Sequence, residues 1–175
     1  GQLISTPPAP APLTAAEIAA ARQHPGLQRA LHAIAIGLRN DGVREWNYHI
    51  IVHRSGGLSE RELLAAADFA CSRQVWDRCI NTSERTRTEI DHLQRFPMPF
   101  RDQVLAQSRA IGLDPAYVFG LIRQESRFIM DARSHVGASG LMQLMPATAR
   151  LVARRIGLQN FTQAQVNQLD VNRSE

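Results

Sequence analysis

Apolar residues recur at helical spacing through most of this sequence, and helix-start signals mark where successive helices begin. In a capping box, a hydroxyl and a carboxylate or amide three residues later satisfy free backbone N–H groups at a helix start. Strand-type alternation of apolar and polar residues is nearly absent, so the pattern predicts an all-α fold. The capping-box matches are Thr14-x-x-Glu17, Ser59-x-x-Glu62 and Thr162-x-x-Gln165.

The first half of the chain repeats short amphipathic helices separated by turn residues. Pro25 opens a predicted helix that Asp41-Gly42 is expected to end. A second helix is expected to stop at Ser55-Gly56-Gly57, and a third is expected to follow Ser59. Small residues at the expected contacts predict stacked antiparallel hairpins, as in a piece of an α-solenoid. The apolar positions are Leu27, Ala30, Leu31, Ile34 and Leu38 in the first helix, and Val43, Trp46, Ile50 and His53 in the second.

Proline-rich segments divide the sequence into three predicted parts. Residues 1–13 carry a proline and alanine run that favours an extended connector. Residues 14–95 form the hairpin region. The segment Arg95-Phe96-Pro97-Met98-Pro99-Phe100 is incompatible with helix, so a different domain is expected over residues 96–175. Helices are predicted there at about 101–111, at about 115–128 after the N-cap Asp114, and from about Pro146, with at most a small β element around 137–145.

Composition excludes several classes of protein. Apolar residues make up 44% of the chain, which favours a folded globular protein, but no apolar stretch is long enough for a transmembrane helix. The net charge of +4 comes from arginines scattered beside acids, whereas a nucleic-acid binder would cluster cations on one face. No nucleic-acid partner is therefore expected. The first residue, Gly1, is not Met, and no signal peptide precedes the helices, so we expect a processed or engineered piece.

The two cysteines, Cys71 and Cys79, are too few for a disulfide framework or a cysteine-rich zinc site. Eight residues along one continuous helix span about 12 Å, which is beyond disulfide distance. The spacing therefore predicts free, largely buried thiols, although the residues flank an apparent turn between two helices.

Glu125 is the carboxylate whose position is least expected from the helical pattern. It follows Val118, Leu121 and Ile122 at i+7, i+4 and i+3, which places it in the apolar stripe of its helix. Apolar surroundings disfavour the charged form of a carboxylate and keep it protonated nearer neutral pH, as a general acid requires. The alternative is a structural glutamate at the helix end, whose carboxylate reaches water or an arginine such as Arg150 or Arg154.

A glycine-bearing segment follows this helix, with the sequence Gly-Ala-Ser-Gly-Leu-Met-Gln-Leu-Met-Pro at residues 137–146. Glycines allow a backbone to approach a ligand closely. If 141–145 is extended, Leu141, Gln143 and Met145 share one face, where an amide and a thioether suit sugar hydroxyls and an apolar sugar edge. Core packing of the methionines is the alternative.

These two motifs together, Glu125-Ser126-x-Phe128 and the string at 137–146, resemble the soluble lytic transglycosylases of bacterial cell-wall metabolism. The similarity is ungapped from about Phe96 to Ala149. Supporting likenesses to the family's helical superstructure lie earlier in the chain, at 42–46, 63–67 and 77–82.

The resemblance implies a partial lysozyme-like, mainly α catalytic domain preceded by the end of an α-helical superhelix. It implies periplasmic cleavage of the β-1,4 bond between N-acetylmuramic acid and N-acetylglucosamine in peptidoglycan glycan strands, with a 1,6-anhydro product. Glu125 would be the catalytic residue, with no metal and no cofactor. Ser126 and Phe128 match supporting positions, and Ser134, Gln143 and Met145 match residues that line the glycan cleft.

This sequence departs from the family at its C-terminal edge. Family members carry a later Ala-Tyr-Asn motif, whereas the two tyrosines here, Tyr48 and Tyr117, lie in no such motif. We therefore expect an incomplete catalytic domain that is inactive by itself and prone to self-association through uncovered apolar faces. The alternative from another functional class is a non-catalytic helical scaffold or glycan-binding module.

Overall fold

The computed structural model describes residues 8–52 and 57–167, and the regular secondary structure over these ranges is helical. Two isolated bridges, Arg133 with Ser139 and Ser139 with Leu144, are the β pairings found there. The all-α prediction is confirmed, including the small β element expected around 137–145. The stop at Ser55-Gly56, the position of His53 and the first residues of the predicted connector lie outside the described residues.

The α-helices follow one another with short connections. A π-helical turn, Tyr48–Val52, continues α3, and a 3₁₀-helix, Gln163–Asn167, follows α9. The α-helices are α1 Ala15–Gln23, α2 Pro25–Ala35, α3 Arg39–Asn47, α4 Glu60–Ser72, α5 Trp76–Ser83, α6 His92–Arg95, α7 Arg101–Ala110, α8 Pro115–Ser126 and α9 Pro146–Arg155.

Helices α1 and α4 start where local capping chemistry predicts them. The backbone N–H of Glu17 donates to the Thr14 hydroxyl at 3.2 Å, and the Thr14 N–H donates to the Glu17 carboxylate at 2.7 Å. Ser59 and Glu62 form the same reciprocal pair at the start of α4. At the third predicted box only the backward half forms, from the Thr162 N–H to the side-chain oxygen of Gln165 at 2.6 Å, and a 3₁₀-helix follows.

The prediction that Asp41-Gly42 ends the first long helix is wrong. Helix α2 ends at Ala35, the chain turns at Gly37, whose φ is 89°, and both predicted stop residues lie inside α3. A Cβ on Gly42 would lie 2.5 Å from the carbonyl oxygen of Ala30. Gly42 therefore allows α2 and α3 to pack closely, and it is a contact residue and not a helix stop.

The chain forms two compact units, divided between Pro97 and Met98. In the first unit α2 packs against α3, α4 against α5, and α1 against α4, as stacked helical pairs. The core includes Leu27, Leu31, Trp46 and Phe69, all buried. The indole N–H of Trp46 donates to the Thr82 hydroxyl at 2.9 Å, so this buried polar group is satisfied.

The prediction of free thiols is also wrong, because Cys71 and Cys79 form a disulfide. The two residues are not on one continuous helix. Helix α4 ends at Ser72, a turn reverses the chain, and α5 begins at Trp76, which brings the two Cα atoms to 5.1 Å. Cys79 is fully buried, as expected, and Cys71 is half-buried.

The carboxylate of Glu60, in the first turn of α4, organises the loop that follows α5. It accepts from the Thr88 hydroxyl at 2.6 Å and from the backbone N–H groups of Arg87 and Glu89, both at 2.8 Å. These hydrogen bonds, chiefly that of Thr88, lower the pKa of Glu60 to about 2. The pKa of Glu17 is likewise lowered to about 2, chiefly by its hydrogen bonds with Arg61 and to a smaller extent by those with the N-cap Thr14.

We expect acid to destabilise the first unit through these two carboxylates. A carboxyl whose pKa is depressed in the folded state contributes stability above its unfolded value of about 4.5, and that contribution is lost as pH falls towards 2. Urea titrations over this pH range should show Glu60→Gln less stable than the wild type at pH 6, with the gap closing towards pH about 2. Asp102→Asn, in the second unit, is the control and should leave the first unit's curve unchanged. A gap that is constant with pH would contradict the prediction.

In the second unit α7 packs against α8, and the 3₁₀-helix lies beside α9. The buried apolar residues are Val118, Ile122, Phe128, Ala138, Ala149 and Ala153. None of the helices over the described residues combines the length and apolar character required to cross a membrane.

Candidate functional site

Glu125 lies in the last turn of α8, one residue before the helix ends. Its side chain is exposed, so the expectation that it lies within the apolar stripe is wrong. The buried face of α8 runs through Val118, Ile122 and Ser126, at i, i+4 and i+8. Glu125 borders that face on the solvent side, where a ligand can reach its carboxylate.

Both residues expected to support Glu125 are buried, Ser126 being 7% and Phe128 4% exposed. The Ser126 hydroxyl donates to the carbonyl of Ile122 at 3.2 Å, one turn back along α8. Arg127 and Phe128 both have left-handed backbone, with φ of 48° and 64°, and this pair ends the helix immediately after the glutamate. The Phe128 ring lies 6.4 Å from that of Phe119, which anchors this helix end in the unit's core.

The segment after α8 folds back on itself around Ser139. The backbone N–H of Ser139 donates to the Leu144 carbonyl at 3.1 Å, and Leu144 donates back at 3.0 Å. Ser134 forms two hydrogen bonds with Ala138. Its hydroxyl accepts from the Ala138 N–H at 2.9 Å, and its own N–H donates to the Ala138 carbonyl at 2.9 Å. The half-buried Ser134 therefore closes a tight loop over 134–138.

The expectation that 141–145 is extended is wrong. The Gln143 N–H donates to the Gly140 carbonyl at 3.1 Å, which makes a turn, and the φ of Gln143 is 48°. Leu141, Gln143 and Met145 therefore do not share a strand face. Met145 is 42% exposed and directly precedes α9.

The side-chain amide of Gln143 is used within the loop. Its Nε2 donates to the carbonyl of Ala132 at 3.0 Å and to that of Gly140 at 2.9 Å, so both amide hydrogens have backbone acceptors. This residue ties the start of the loop to its turn. Its carbonyl oxygen is the atom left to accept a hydrogen bond from a hydroxyl.

Sequence reasoning missed the part that Ser139 and Gly140 play in this loop. Ser139 is 5% exposed, and its hydroxyl accepts from the side chain of Gln163 at 2.8 Å, which joins the loop to the 3₁₀-helix. A Cβ on Gly140 would lie 2.7 Å from the carbonyl oxygen of Val166, and the φ of this glycine is 78°. The sequence predicts that the glycines allow a ligand to approach, whereas Gly140 accommodates a neighbouring backbone.

A cavity of about 120 Å³ opens beside this loop, between α9 and the 3₁₀-helix. Its walls are largely apolar and include Met130, Leu141, Met142, Val152 and Phe161. Glu125, Ser134, Gln143 and Met145 are not among the residues that line it. The exposed carboxylate at the end of α8 and the apolar cavity are therefore two distinct features of this unit.

The second unit contains more arginines than acidic residues. Over residues 98–167 the sequence contains eight arginines, whereas its acids are Asp102, Asp114, Glu125 and Asp131. Among the described residues, no group of three or more His, Cys, Asp or Glu is placed to hold a metal ion. The exposed carboxylate of Glu125 can give a proton to a bound ligand or take one from it.

Comparisons with known proteins identify related sequences. Residues 103–172 match the family model of the transglycosylase SLT domain. The soluble lytic murein transglycosylase of Salmonella typhimurium is 29% identical over 140 residues, which are 79% of this chain and 21% of that protein. Its counterpart from Escherichia coli K12 is 28% identical over 80% of this chain and 21% of its own length. This chain therefore spans about a fifth of the length of these relatives.

Solved structures show the same likeness. The lytic transglycosylase Slt from Pseudomonas aeruginosa, solved as an inactive glutamate-to-glutamine mutant, is 31% identical with a TM-score of 0.78, over 93% of this chain and 26% of that one. The 70-kDa soluble lytic transglycosylase from Escherichia coli is 25% identical with a TM-score of 0.73, over 94% of this chain and 25% of that one. The 70-kDa enzyme in complex with bulgecin A matches with a TM-score of 0.74.

Proposed function

Because this chain belongs to the soluble lytic transglycosylase family, we propose that it is part of an enzyme that cleaves peptidoglycan glycan strands. The bond cleaved is the β-1,4 bond between N-acetylmuramic acid and N-acetylglucosamine. The observation that carries the proposal is the exposed carboxylate of Glu125, positioned by the buried residues Ser126 and Phe128 at the edge of a folded loop. The glutamate-to-glutamine change in the inactive Pseudomonas aeruginosa protein supports a glutamate as the catalytic group.

Glu125 acts first as an acid and then as a base. Its carboxyl donates a proton to the glycosidic oxygen, and the bond from that oxygen to C1 of the muramic acid breaks. The carboxylate then takes the proton from the C6 hydroxyl of the same sugar while its oxygen bonds to C1. The product is a 1,6-anhydro sugar, and no water is consumed.

The described part of the second unit offers Asp102, Asp114 and Asp131 as candidates for a second carboxylate. Glycosidases that use water or an enzyme nucleophile pair two carboxylates about 5–10 Å apart. Asp114 caps the opposite end of α8, about 16 Å from Glu125 at 1.5 Å per residue. Asp131 is exposed in the turn after the helix. In the described part of the second unit, Asp131 is therefore the candidate second carboxylate nearest to Glu125 along the chain. Its mutation tests whether it takes part in the reaction.

The glycan-binding residues are the loop residues Ser134, Gln143 and Met145. Both amide hydrogens of Gln143 bond to the loop's backbone, so this residue offers its carbonyl oxygen to a sugar hydroxyl and also fixes the loop. The exposed thioether of Met145 offers an apolar contact to a sugar ring.

The enzyme works in the periplasm, and the Cys71–Cys79 disulfide supports this location. Disulfides persist in oxidising compartments such as the periplasm and are rare in the cytosol. The relatives' names identify their substrate as murein, the polymer of that compartment.

The 175-residue chain by itself is inactive. The side chain of Glu125 is exposed, and a glycan that is not enclosed there is not fixed in an attack geometry. Apolar side chains around the cavity are exposed, among them Met142 at 39%, Val152 at 43% and Ile156 at 54%. These surfaces make the isolated chain prone to self-association.

The test incubates purified murein sacculi with the 175-residue chain and, separately, with the complete gene product. Mass spectrometry of the released muropeptides should find 1,6-anhydro ends with the complete protein and none with the 175-residue chain. Reducing ends from the complete protein would replace the proposed reaction with hydrolysis. Binding without release by the complete protein would favour the non-catalytic glycan-binding module instead.

A further inference from the structure

A second groove lies in the first unit, on the surface shared by α2 and the end of α4. It has a volume of about 650 Å³ and an apolar floor that includes Leu31, Ile34 and Phe69. Its rim carries Arg29, His32 and Arg73. Among the described residues that line this groove there is no carboxylate, and because Arg29 is ion-paired with Glu45, Arg73 supplies the unpaired positive charge of the rim.

Arg73 is the residue that makes the groove suited to an anion. Its guanidinium lies over the Phe69 ring, 5.5 Å from the ring centre, and forms no ion pair with any described residue. A guanidinium stacked on an aromatic ring keeps its N–H groups available to a carboxylate, which it binds in a bidentate geometry. Arg29, on the other side, directs its Nε and Nη2 to one oxygen of Glu45, at 3.1 and 2.6 Å.

The disulfide fixes the part of the rim that carries Arg73. Cys71 and Cys79 close the segment 72–78, which includes both Arg73 and the groove residue Val75. Val75 is tied back to α4 through its N–H, which donates to the Ala70 carbonyl at 3.0 Å. A binding surface whose turn is cross-linked loses less conformational entropy when a ligand binds.

We propose that this groove binds a short peptide that carries several carboxylates, with its small apolar side chains on the Leu31 and Phe69 floor and a carboxylate on Arg73. This inference rests on the proposed function, because the glycan strands of murein bear short acidic peptides of this kind. The groove would hold the peptide branch of the substrate.

The test titrates the 15N-labelled 175-residue chain with the free murein tetrapeptide, alanyl-γ-glutamyl-diaminopimelyl-alanine, which contains no glycosidic bond. Amide signals of α2 and of residues 73–75 should shift. Raising salt from about 50 mM to about 500 mM should weaken binding, because exposed charges are screened. A tetrapeptide with amidated carboxylates is the ligand control.

Arg73→Gln should weaken binding about five- to tenfold, whereas Arg73→Lys should retain part of it. Arg150→Gln, which removes an exposed arginine of α9 in the other unit, is the matched control and should bind as the wild type does. The Glu125→Gln variant should also bind normally, so that failure of this proposal is distinguished from failure of the proposed reaction.

Three results would overturn the inference. These are the absence of shifts at about 5 mM peptide, equal binding of the amidated peptide, and an equal loss in Arg150→Gln, which would indicate attraction to net positive charge alone. Concentration-dependent shifts of the same groove residues without peptide would also overturn it, because a second copy of the chain would then be the occupant.

Discussion

Replacing Glu125 with glutamine in the complete enzyme is expected to lower turnover on murein by 10²- to 10⁴-fold, about 3–5 kcal/mol of barrier, and towards the upper end of that range. The amide is nearly the same size as the carboxyl but can neither protonate the glycosidic oxygen nor take the proton from the C6 hydroxyl. The exposed position of Glu125 means that folding should be unaffected. Release of anhydromuropeptides, with unfolding curves for both proteins, measures the two effects.

Two neighbouring substitutions serve as controls for Glu125→Gln. Gln124→Ala changes the exposed residue beside it on α8, and Asp131→Asn removes the carboxylate of the following turn. Both variants should keep turnover within about tenfold of the wild type, because neither residue has a part in the proposed reaction. A Glu125→Gln enzyme that stays within tenfold would remove this residue from the mechanism. A loss in Asp131→Asn as large as the one expected for Glu125→Gln would indicate a two-carboxylate hydrolysis.

Sequence reasoning was most successful where the determining interactions are local. The caps at Thr14, Ser59 and Asp114 involve atoms within three residues of one another, so the residue types predict the hydrogen bonds directly. The starts of α1, α4 and α8 followed from these signals. The half-formed box at Thr162 shows the limit, because the same pattern there precedes a 3₁₀-helix.

Predictions failed where the chain reverses direction between two elements. Counting along one helix put Cys71 and Cys79 about 12 Å apart, whereas the turn between α4 and α5 brings their Cα atoms to 5.1 Å. The left-handed backbone of Gln143 likewise breaks the extended face expected for 141–145. Residue spacing alone does not reveal a reversal that depends on such backbone geometry.

The surroundings of the candidate site could not be predicted from the sequence. The residue spacing placed Glu125 inside the apolar stripe of α8, whereas its side chain is exposed beside that stripe. On a helical wheel Glu125 lies about 20° from Val118, at one edge of the buried face. The wheel shows the width of the apolar face but does not show which of its edges is covered by neighbouring elements. The burial of Ser139 could not be predicted from nearby residues, because it depends on contact with Gln163 in a 3₁₀-helix 24 residues later.

The prediction for Gly42 also failed. Glycine is typical of helix ends, whereas this residue lies inside α3. Its structural reason lies on another helix: the carbonyl oxygen of Ala30 and the side chain of Ile34 would be 2.5 and 2.7 Å from a Cβ at this position. No pattern within α3 could reveal that requirement. It arises only when α2 packs across α3.

Gly42→Ala is therefore expected to destabilise the first unit by about 2–3 kcal/mol, although alanine is the better helix former. The backbone of α2 cannot move aside without disturbing the buried residues that it carries, among them Leu27 and Leu31. Urea unfolding followed by tryptophan fluorescence measures this effect, because Trp46 and Trp76 are the chain's two tryptophans and both lie in the first unit.

Gly120→Ala is the matched control, since Gly120 is also inside a helix but a Cβ there would meet nothing within 4 Å. This substitution should stabilise α8 by about 0.5–1 kcal/mol through helix propensity alone, as measured by far-UV circular dichroism of the second unit's transition. Opposite signs for the two glycines would identify interhelical contact as the reason that Gly42 is required. If Gly42→Ala stabilised the first unit as well, α2 and α3 would not pack as closely as the structure has them.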